Sequence, residues 1–289
     1  NDAGEPFLTD VSFKTREEVS RKIALEMKRT GGDVWLDPTD NLKDENGKKA
    51  WERVERVGSL DAVKFVYGSS AYRWRKAFKV VPTQHYMMGG VCIDHKGATS
   101  VNGLYAVGEV AGGLHGGGRL GSMSLFEGLV FGRIVGHEAA QNDEPLSLLT
   151  EEEEIELIDR VKRSFSAERG EYSPFSLKKE LARVMWNNVG ILRDQQRLLE
   201  ALQAIERLAS KARHLNIDWQ SKHYFLLLNA IELQFMLLVA KAIVKSALTR
   251  KESRGSHYRL DEPNRRSEEA MHTFSTYEHD QIVTKMVRL

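Results

Sequence analysis

A run of glycines, interrupted by one histidine and one arginine, limits what this chain can become more than any other stretch. Val81-Pro82-Thr83-Gln84-His85-Tyr86-Met87-Met88-Gly89-Gly90 is followed by Gly103-Leu104-Tyr105-Ala106-Val107-Gly108-Glu109 and then by His115-Gly116-Gly117-Gly118-Arg119-Leu120-Gly121-Ser122-Met123-Ser124-Leu125. Without a Cβ, backbone can come close to a planar or anionic ligand. The pattern from Ser122 to about Ala140 predicts a helix opening from this glycine-rich turn. Such a helix start offers N–H groups and the positive end of a dipole to a negative ligand. The stretch therefore points to an anionic cofactor or substrate.

Composition narrows the class. The 289 residues carry a net charge of +1 and are 41% hydrophobic, enough for one large domain or two smaller ones. So balanced a charge gives no reason to expect nucleic acid as a partner. Tyr72-Arg73-Trp74-Arg75-Lys76-Ala77-Phe78 interleaves basic and aromatic residues, but one short run reads as a surface edge. The single cysteine, Cys92, excludes a disulfide framework and a cysteine-based metal site, so no metal ligands are assigned. Its apolar setting, Val91-Cys92-Ile93, predicts a buried, inert thiol. Both points suit a reducing, cytoplasmic compartment. The polar start Asn1-Asp2-Ala3-Gly4-Glu5 has no signal-peptide core, and no G-x-G-x-x-G follows a leading strand.

Along the chain, Thr15 and Glu18 make a capping box for a helix whose apolar stripe is Val19, Ile23 and Met27 and whose stop is Gly31-Gly32. Val34 to Asp37 reads as a short strand ended by Pro38. A helix is expected from Lys49 towards Lys64. Gly89–Asp94 and Gly103–Gly108 read as two strands, with Glu109 ending the second. A carboxylate at the C-terminal end of such a strand commonly accepts bonds from ribose or ribityl hydroxyls. Gly128, Gly132 and Gly136 share one helix face and predict close packing against a sheet. Asp143-Glu144-Pro145 reads as a linker, and Thr150-Glu151-Glu152-Glu153 starts the next helix. From there to about Arg250 the pattern is helical, with Leu198, Leu202, Ile205 and Leu208 as one stripe. Phe225–Leu248, apolar on nearly every side, is expected at the centre of a bundle; Asn229, Glu232, Gln234, Lys241 and Lys245 argue against a membrane span. The last thirty or so residues read as polar and irregular.

The three glycine-rich segments, in order, resemble the flavoprotein subunit of the succinate dehydrogenase/fumarate reductase family, which includes L-aspartate oxidase. That family's run is close to P-x-x-H-Y-x-x-G-G, then G-L-Y-A-x-G-E, then H-G-x-N-R-x-x-x-N-S-L. The resemblance extends to Asn1-Asp2-Ala3-Gly4-Glu5-Pro6-Phe7, to Met185-Trp186-Asn187-Asn188-Val189-Gly190-Ile191 and to Glu252-Ser253-Arg254-Gly255-Ser256-His257-Tyr258-Arg259. It implies an α+β chain: part of a capping domain at 1–79, the returning part of an FAD-binding α/β domain at 80–145, an all-helical C-terminal bundle at 146–250 and an extended tail at 251–289. It also implies the C-terminal portion of a longer protein, without the first nucleotide-binding segment, holding FAD weakly or not at all by itself and inactive alone.

The same resemblance assigns roles. Arg16, in the Arg16-Glu17 pair, would deliver the proton to fumarate; His85 and Arg119 would bind the carboxylates of a C4 dicarboxylate; Glu109, Ser124 and Leu125 would contact FAD. From chemistry alone, a guanidinium fork is the natural clamp for a carboxylate. Arginine is a poor acid, with a pKa above about 12, and can serve only against a carbanion-like centre held close. The implied reaction is hydride transfer between FAD and the Cα–Cβ bond of succinate or fumarate, with L-aspartate oxidase as the neighbouring alternative and a non-catalytic interaction module as another. An iron–sulfur electron-transfer subunit is the implied partner, with a cytoplasmic location or a peripheral one at the inner face of the cytoplasmic membrane. Gly118 and Met123 depart from the pattern, each standing where an Asn is usual; at 123 a hydrogen-bond donor is lost.

Overall fold

A computed structural model describes residues 1–8, 15–58, 60–141, 149–165, 170–217, 225–266 and 270–288. The predicted linker at Asp143-Glu144-Pro145 lies outside them. The chain mixes helices with short strands and divides into two compact units, Asn1–His85 and Tyr86–Leu289.

In the first unit, helix α1 (Arg16–Thr30) starts as its sequence predicts. Glu18 N–H donates to Thr15 Oγ1 at 3.3 Å and Thr15 N–H to the Glu18 carboxylate at 2.8 Å, so each residue satisfies the other's orphan donor. Gly31 ends the helix at φ 69°, which only glycine adopts without strain. The stripe Val19, Ile23, Met27 is half-buried; the buried residue of α1 is Glu26. Its carboxylate accepts from Asn1 Nδ2 at 2.9 Å and from the Arg29 fork at 2.9 and 2.7 Å. Strand β1 (Val34–Leu36) follows. The helix expected from Lys49 is two helices, α2 (Glu45–Val57) and α3 (Asp61–Tyr67), because Gly58 at φ 67° closes the first. A four-residue turn of helix, α4 (Ser69–Tyr72), leads to β2 (Phe78–Val80), which pairs antiparallel with β1, Leu36 opposite Phe78. Of the basic and aromatic run, Tyr72 ends α4 and Phe78 is buried in β2.

The second unit begins with irregular backbone. The two strands expected over 89–94 and 103–108 do not form ladders: only single bridges occur, Val91 with Ala111 and Ala98 with Tyr105. An extended segment becomes a strand only beside a partner, and the described residues supply none here. Instead Asp94 folds its own segment into a turn by accepting from the N–H groups of Lys96 and Ala98. Cys92, expected to be buried, is exposed for the same reason. Glu109 lies in a short 3-10 turn, Gly108–Val110, not at a strand end.

Helix α5 (Met123–Ala140) follows Ser122, which caps it at φ 66°. Among the described residues the face of Gly128, Gly132 and Gly136 is not packed on a sheet; a Cβ at any of them would meet nothing within 4 Å. Helix α6 (Glu151–Arg163) has a second capping box, Thr150 with Glu153.

The core of this unit is the bundle of α7 (Pro174–Val189), α8 (Gln195–Lys211) and α9 (Phe225–Thr249). The α8 stripe holds: Leu198, Ile205 and Leu208 are buried and Leu202 is half-buried. Helix α9 buries one face, with Leu233, Leu237 and Val244, while Phe225, Leu228 and Phe235 are exposed. Among the described residues it is the one helix long and apolar enough to cross a membrane. Its polar groups are partnered here: Lys178 Nζ reaches Asn229 Oδ1 at 2.7 Å and also bonds Glu232, and Lys241 pairs with Glu206.

The tail is not irregular. Residues 271–288 form an antiparallel hairpin, β3 (Met271–Glu278) and β4 (Gln281–Arg288). His279 and Asp280 turn at φ 48° and 60°, the conformation a two-residue hairpin loop requires. The hairpin lies on α9, where Lys245 Nζ donates to Ile282 O at 2.7 Å and the Arg250 guanidinium to Met271 O at 2.5 Å.

Candidate functional site

The second unit brings Arg119 to the start of α5. Its Nη1 donates to Ser124 Oγ at 2.9 Å, and its guanidinium carbon stands 4.6 Å from the centre of the Tyr86 ring. A guanidinium over an aromatic face is attracted by the ring quadrupole. Arg119 forms no ion pair among the described residues, so its charge is not spent on a protein carboxylate.

Beneath Arg119 lies a cluster that sequence reasoning missed. Glu127 is buried in α5, and one of its oxygens, Oε2, accepts from Tyr86 Oη at 3.1 Å and from His115 Nε2 at 2.7 Å. With the carboxylate as acceptor, the His115 tautomer carries its proton on Nε2. His115 stands edge-on to Tyr86, 5.6 Å between ring centres. Burial, and next the Glu127 hydrogen bond, raise the Tyr86 phenol above its ordinary value, so the hydroxyl stays protonated and donates. Cation, ring, carboxylate and imidazole thus form one connected set under the loop.

The other residues of this unit take distinct places. Glu109 Oε1 accepts from Met87 N–H at 2.9 Å, while Oε2 has no protein partner among the described residues and the side chain is exposed. A carboxylate oxygen available in this way suits a hydroxyl donor such as a sugar or ribityl group. The Ser124 N–H makes no hydrogen bond among the described residues, whereas Leu125 N–H is taken by Ser122 O at 3.1 Å. An uncommitted helix-start N–H beside an unpaired guanidinium suits an anion, and these residues fit a flavin nucleotide. The glycines do less of this work than their density suggests. A Cβ on Gly90 would fall 2.3 Å from Val110 O, and one on Gly112 2.7 Å from Gly90 N, so these two glycines are required where backbone crosses backbone. Gly118 donates its N–H to His115 O at 3.3 Å, and Met123 is exposed at the first position of α5.

Arg16 and His85 belong to the first unit. Arg16 is exposed at the first position of α1, followed by Glu17 and Glu18, and makes no ion pair among the described residues. His85 is exposed at the end of its unit.

Comparison with known proteins agrees along the chain. A family described as an FAD binding domain matches residues 1–125, and one described as the fumarate reductase flavoprotein C-term matches residues 178–288. One of the subunits of the fumarate reductase (CoM/CoB) of Methanothermobacter marburgensis is 36% identical over 281 residues, 93% of this chain and 49% of that protein. An L-aspartate oxidase of Acinetobacter baylyi is 34% identical over 86% of this chain and 42% of its own length. Among solved structures, a variant of the FrdA chain of E. coli quinol fumarate reductase superposes with a TM-score of 0.78 at 30% identity, covering 94% of this chain and 48% of that one. The chain thus spans about half the length of the relatives it matches. Members of this group are FAD-dependent oxidoreductases. The ordered glycine segments, the open cation at the start of α5 and the two family matches place this chain in the succinate dehydrogenase/fumarate reductase flavoprotein family, with L-aspartate oxidase among its members.

Proposed function

We propose that this chain serves an FAD-dependent enzyme that interconverts succinate and fumarate. The observation that carries the reading is Arg119: a guanidinium fixed by Ser124 and Tyr86, beside a helix N-terminus, with no carboxylate of its own among the described residues. Such a fork binds a carboxylate in two places. FAD, when bound, supplies the hydride chemistry at the Cα–Cβ bond. With FAD bound, Glu109 would hold one of its hydroxyls, and Ser124 and Leu125 would contact it from the start of α5. Arg119 and His85 bind the two carboxylates of the C4 acid, and Arg16 exchanges the proton on the carbon that does not receive the hydride. An iron–sulfur subunit is the electron-transfer partner in this reading, and the protein is cytoplasmic or peripheral at the inner face of the cytoplasmic membrane.

The test is fumarate reduction by a reduced dye in the longer protein that the family resemblance implies, as wild type and as Arg119→Lys. Lysine keeps the charge and loses the fork; a loss of at least about a hundredfold in kcat/KM is expected, about 2.7 kcal/mol of transition-state binding. Retained activity in Arg119→Lys overturns the role of Arg119. Oxidation of L-aspartate in place of succinate would move the chain to the L-aspartate oxidase branch, for which the 34% identity to the Acinetobacter enzyme speaks. A non-catalytic interaction module is favoured by a different observation, the apolar surface of α5, where Leu125 and Leu129 are each 75% exposed. A longer protein of the kind the resemblance implies, carrying this chain yet taking up no flavin and reducing no fumarate, supports that second reading.

A further inference from the structure

The Glu252–Arg259 segment, which the family resemblance leaves without a chemical role, makes a specific contact with the loop that leads into Arg119. Arg254 N–H donates to His257 O at 2.8 Å and His257 N–H to Arg254 O at 3.1 Å, which closes a two-residue turn with Gly255 and Ser256 at its tip. That tip grips one carbonyl, Gly117 O, from Ser256 N–H at 2.7 Å and from Ser256 Oγ at 2.9 Å. Gly255 stands at φ 59°, and a Cβ there would lie 2.0 Å from Gly117 O and 2.4 Å from Gly117 C. On the other side, a Cβ on Gly117 would come within 3.2 Å of Arg254 O. Two stretches of backbone therefore meet with no room for a side chain, two residues before Arg119.

The turn is itself held rigidly. The Arg254 guanidinium donates twice to buried Glu252, at 3.0 and 3.2 Å, and Glu252 also accepts from Arg250 Nη1 at 2.6 Å. His257 Nδ1 accepts from Arg193 Nη1 at 2.8 Å; a guanidinium can only donate, so the ring proton sits on Nε2 and bonds Arg250 O at 3.2 Å. Arg259, 1% exposed, donates to Ala247 O and Leu248 O at the end of α9 and to both oxygens of Asp261. Arg193, between α7 and α8, and Arg250 and Glu252, just past α9, thus converge on this one turn. The loop it touches is exposed from Gly116 to Gly118.

We propose that the Arg254–His257 turn is a clasp by which the helical bundle fixes the His115–Gly118 loop, and that Ser256 and Gly255 are positioning residues for the Arg119 guanidinium. The part concerning substrate rests on the role given to Arg119 above; the clasp itself does not. Displacing Gly117 shifts the chain leading to Arg119 and so its fit to both Ser124 and a carboxylate. Misplacement of a binding group by about 1 Å can cost on the order of a hundredfold.

The experiment uses the whole 289-residue chain and three variants. Gly255→Ala introduces the Cβ that collides with Gly117 O, Ser256→Ala removes the Oγ bond alone, and Ser256→Thr retains it. Hydrogen exchange read by mass spectrometry follows the peptide covering residues 115–119, with the peptide covering α8 as the folding reference. The rate at which a dicarbonyl reagent modifies Arg119 follows the side chain. In Gly255→Ala, both rates are expected to rise at least tenfold with α8 unchanged; in Ser256→Ala they rise two- to fivefold; Ser256→Thr restores wild-type rates. Equal loop exchange and equal Arg119 modification in Ser256→Ala, Gly255→Ala and wild type overturn the clasp. If Gly255→Ala unfolds α8, the Ser256→Ala and Ser256→Thr pair decides alone, because Ser256→Ala adds no volume and Ser256→Thr adds one methyl group while keeping the hydroxyl. Protection of Arg119 by malonate in wild type is a separate readout: its absence counts against Arg119 as a carboxylate ligand and leaves the clasp to the exchange data.

Discussion

At the scale of single residues, Tyr86 has two tasks that can be separated. Its ring supports Arg119, and its hydroxyl satisfies buried Glu127. Tyr86→Phe keeps the ring and removes one of the two donors to a buried carboxylate oxygen, so it is expected to cost about 1–3 kcal/mol of stability. The readout is a lower denaturant midpoint at unchanged slope, with Arg119 no more open to dicarbonyl modification than in wild type. His257 sets a pH dependence. Burial, and next the charge of Arg193, push its imidazole down to about 4, with Arg250 and Arg259 adding to the effect and the bond to Arg250 O opposing it. In the unfolded chain a histidine titrates near about 6.5. Between those values the unfolded chain holds a proton that the folded chain refuses, so stability is full above about 6.5 and falls as the pH drops towards 4. Asp261, held down to about 2 chiefly by Arg259, extends the loss below the ordinary carboxylate range. Thermal melts across this range should show a falling Tm, and His257→Gln should lack the upper limb of the decline; a Tm that stays level to pH 4 contradicts the buried neutral imidazole.

At the scale of elements, the bundle and the hairpin depend on different things. Leu198 in α8 is fully buried between α7 and α9. Leu198→Ala should destabilise the second unit by about 2–5 kcal/mol, the span set by how far the cavity collapses. Helix α1 leans on local chemistry. Thr15→Ala removes a reciprocal cap at an exposed position and should cost about 1 kcal/mol, read as faster amide exchange over its first turn. Helix α9 sits between these cases: its inner face belongs to the bundle, Lys245 in its last turns and Arg250 just past its end hold the hairpin, and its outer face keeps Phe225, Leu228 and Phe235 in the open.

At the scale of the whole chain, two compact units divide the residues assigned to one chemistry. Arg16 and His85 lie in the first, and Arg119, Glu109 and Ser124 in the second. Within these 289 residues no G-x-G-x-x-G follows a leading strand to cradle a pyrophosphate. The chain on its own is therefore expected to emerge from purification without stoichiometric flavin, checked by visible absorbance and by titration with FAD. A yellow, stoichiometric preparation would mean that the open turn at Ser124 and the carboxylate of Glu109 suffice.

What the amino-acid order determined unaided was local. The capping boxes at Thr15 and Thr150, the stop at Gly31 and the Leu198–Leu208 stripe all follow from groups within about four residues of one another, the reach of helix and turn hydrogen bonds. The family resemblance was legible for a similar reason, since its three motifs are short and ordered. Tertiary structure decided the rest. Glu127 meets Tyr86 across 41 residues and Ser256 meets Gly117 across 139, and no periodicity announces such pairs. The same limit explains the misplaced strands at 89–108, where extended segments lacked a neighbour, and the exposure of Cys92 in the first of them. It explains the glycine face of α5, whose spacing is helical whether or not anything covers it. The hairpin was the exception, local and yet missed: its apolar residues, Met271, Phe274 and Tyr277 and then Ile282-Val283 and Met286-Val287, do not alternate, and which strand faces α9 only the folded chain could settle, because burial is a property of what lies opposite.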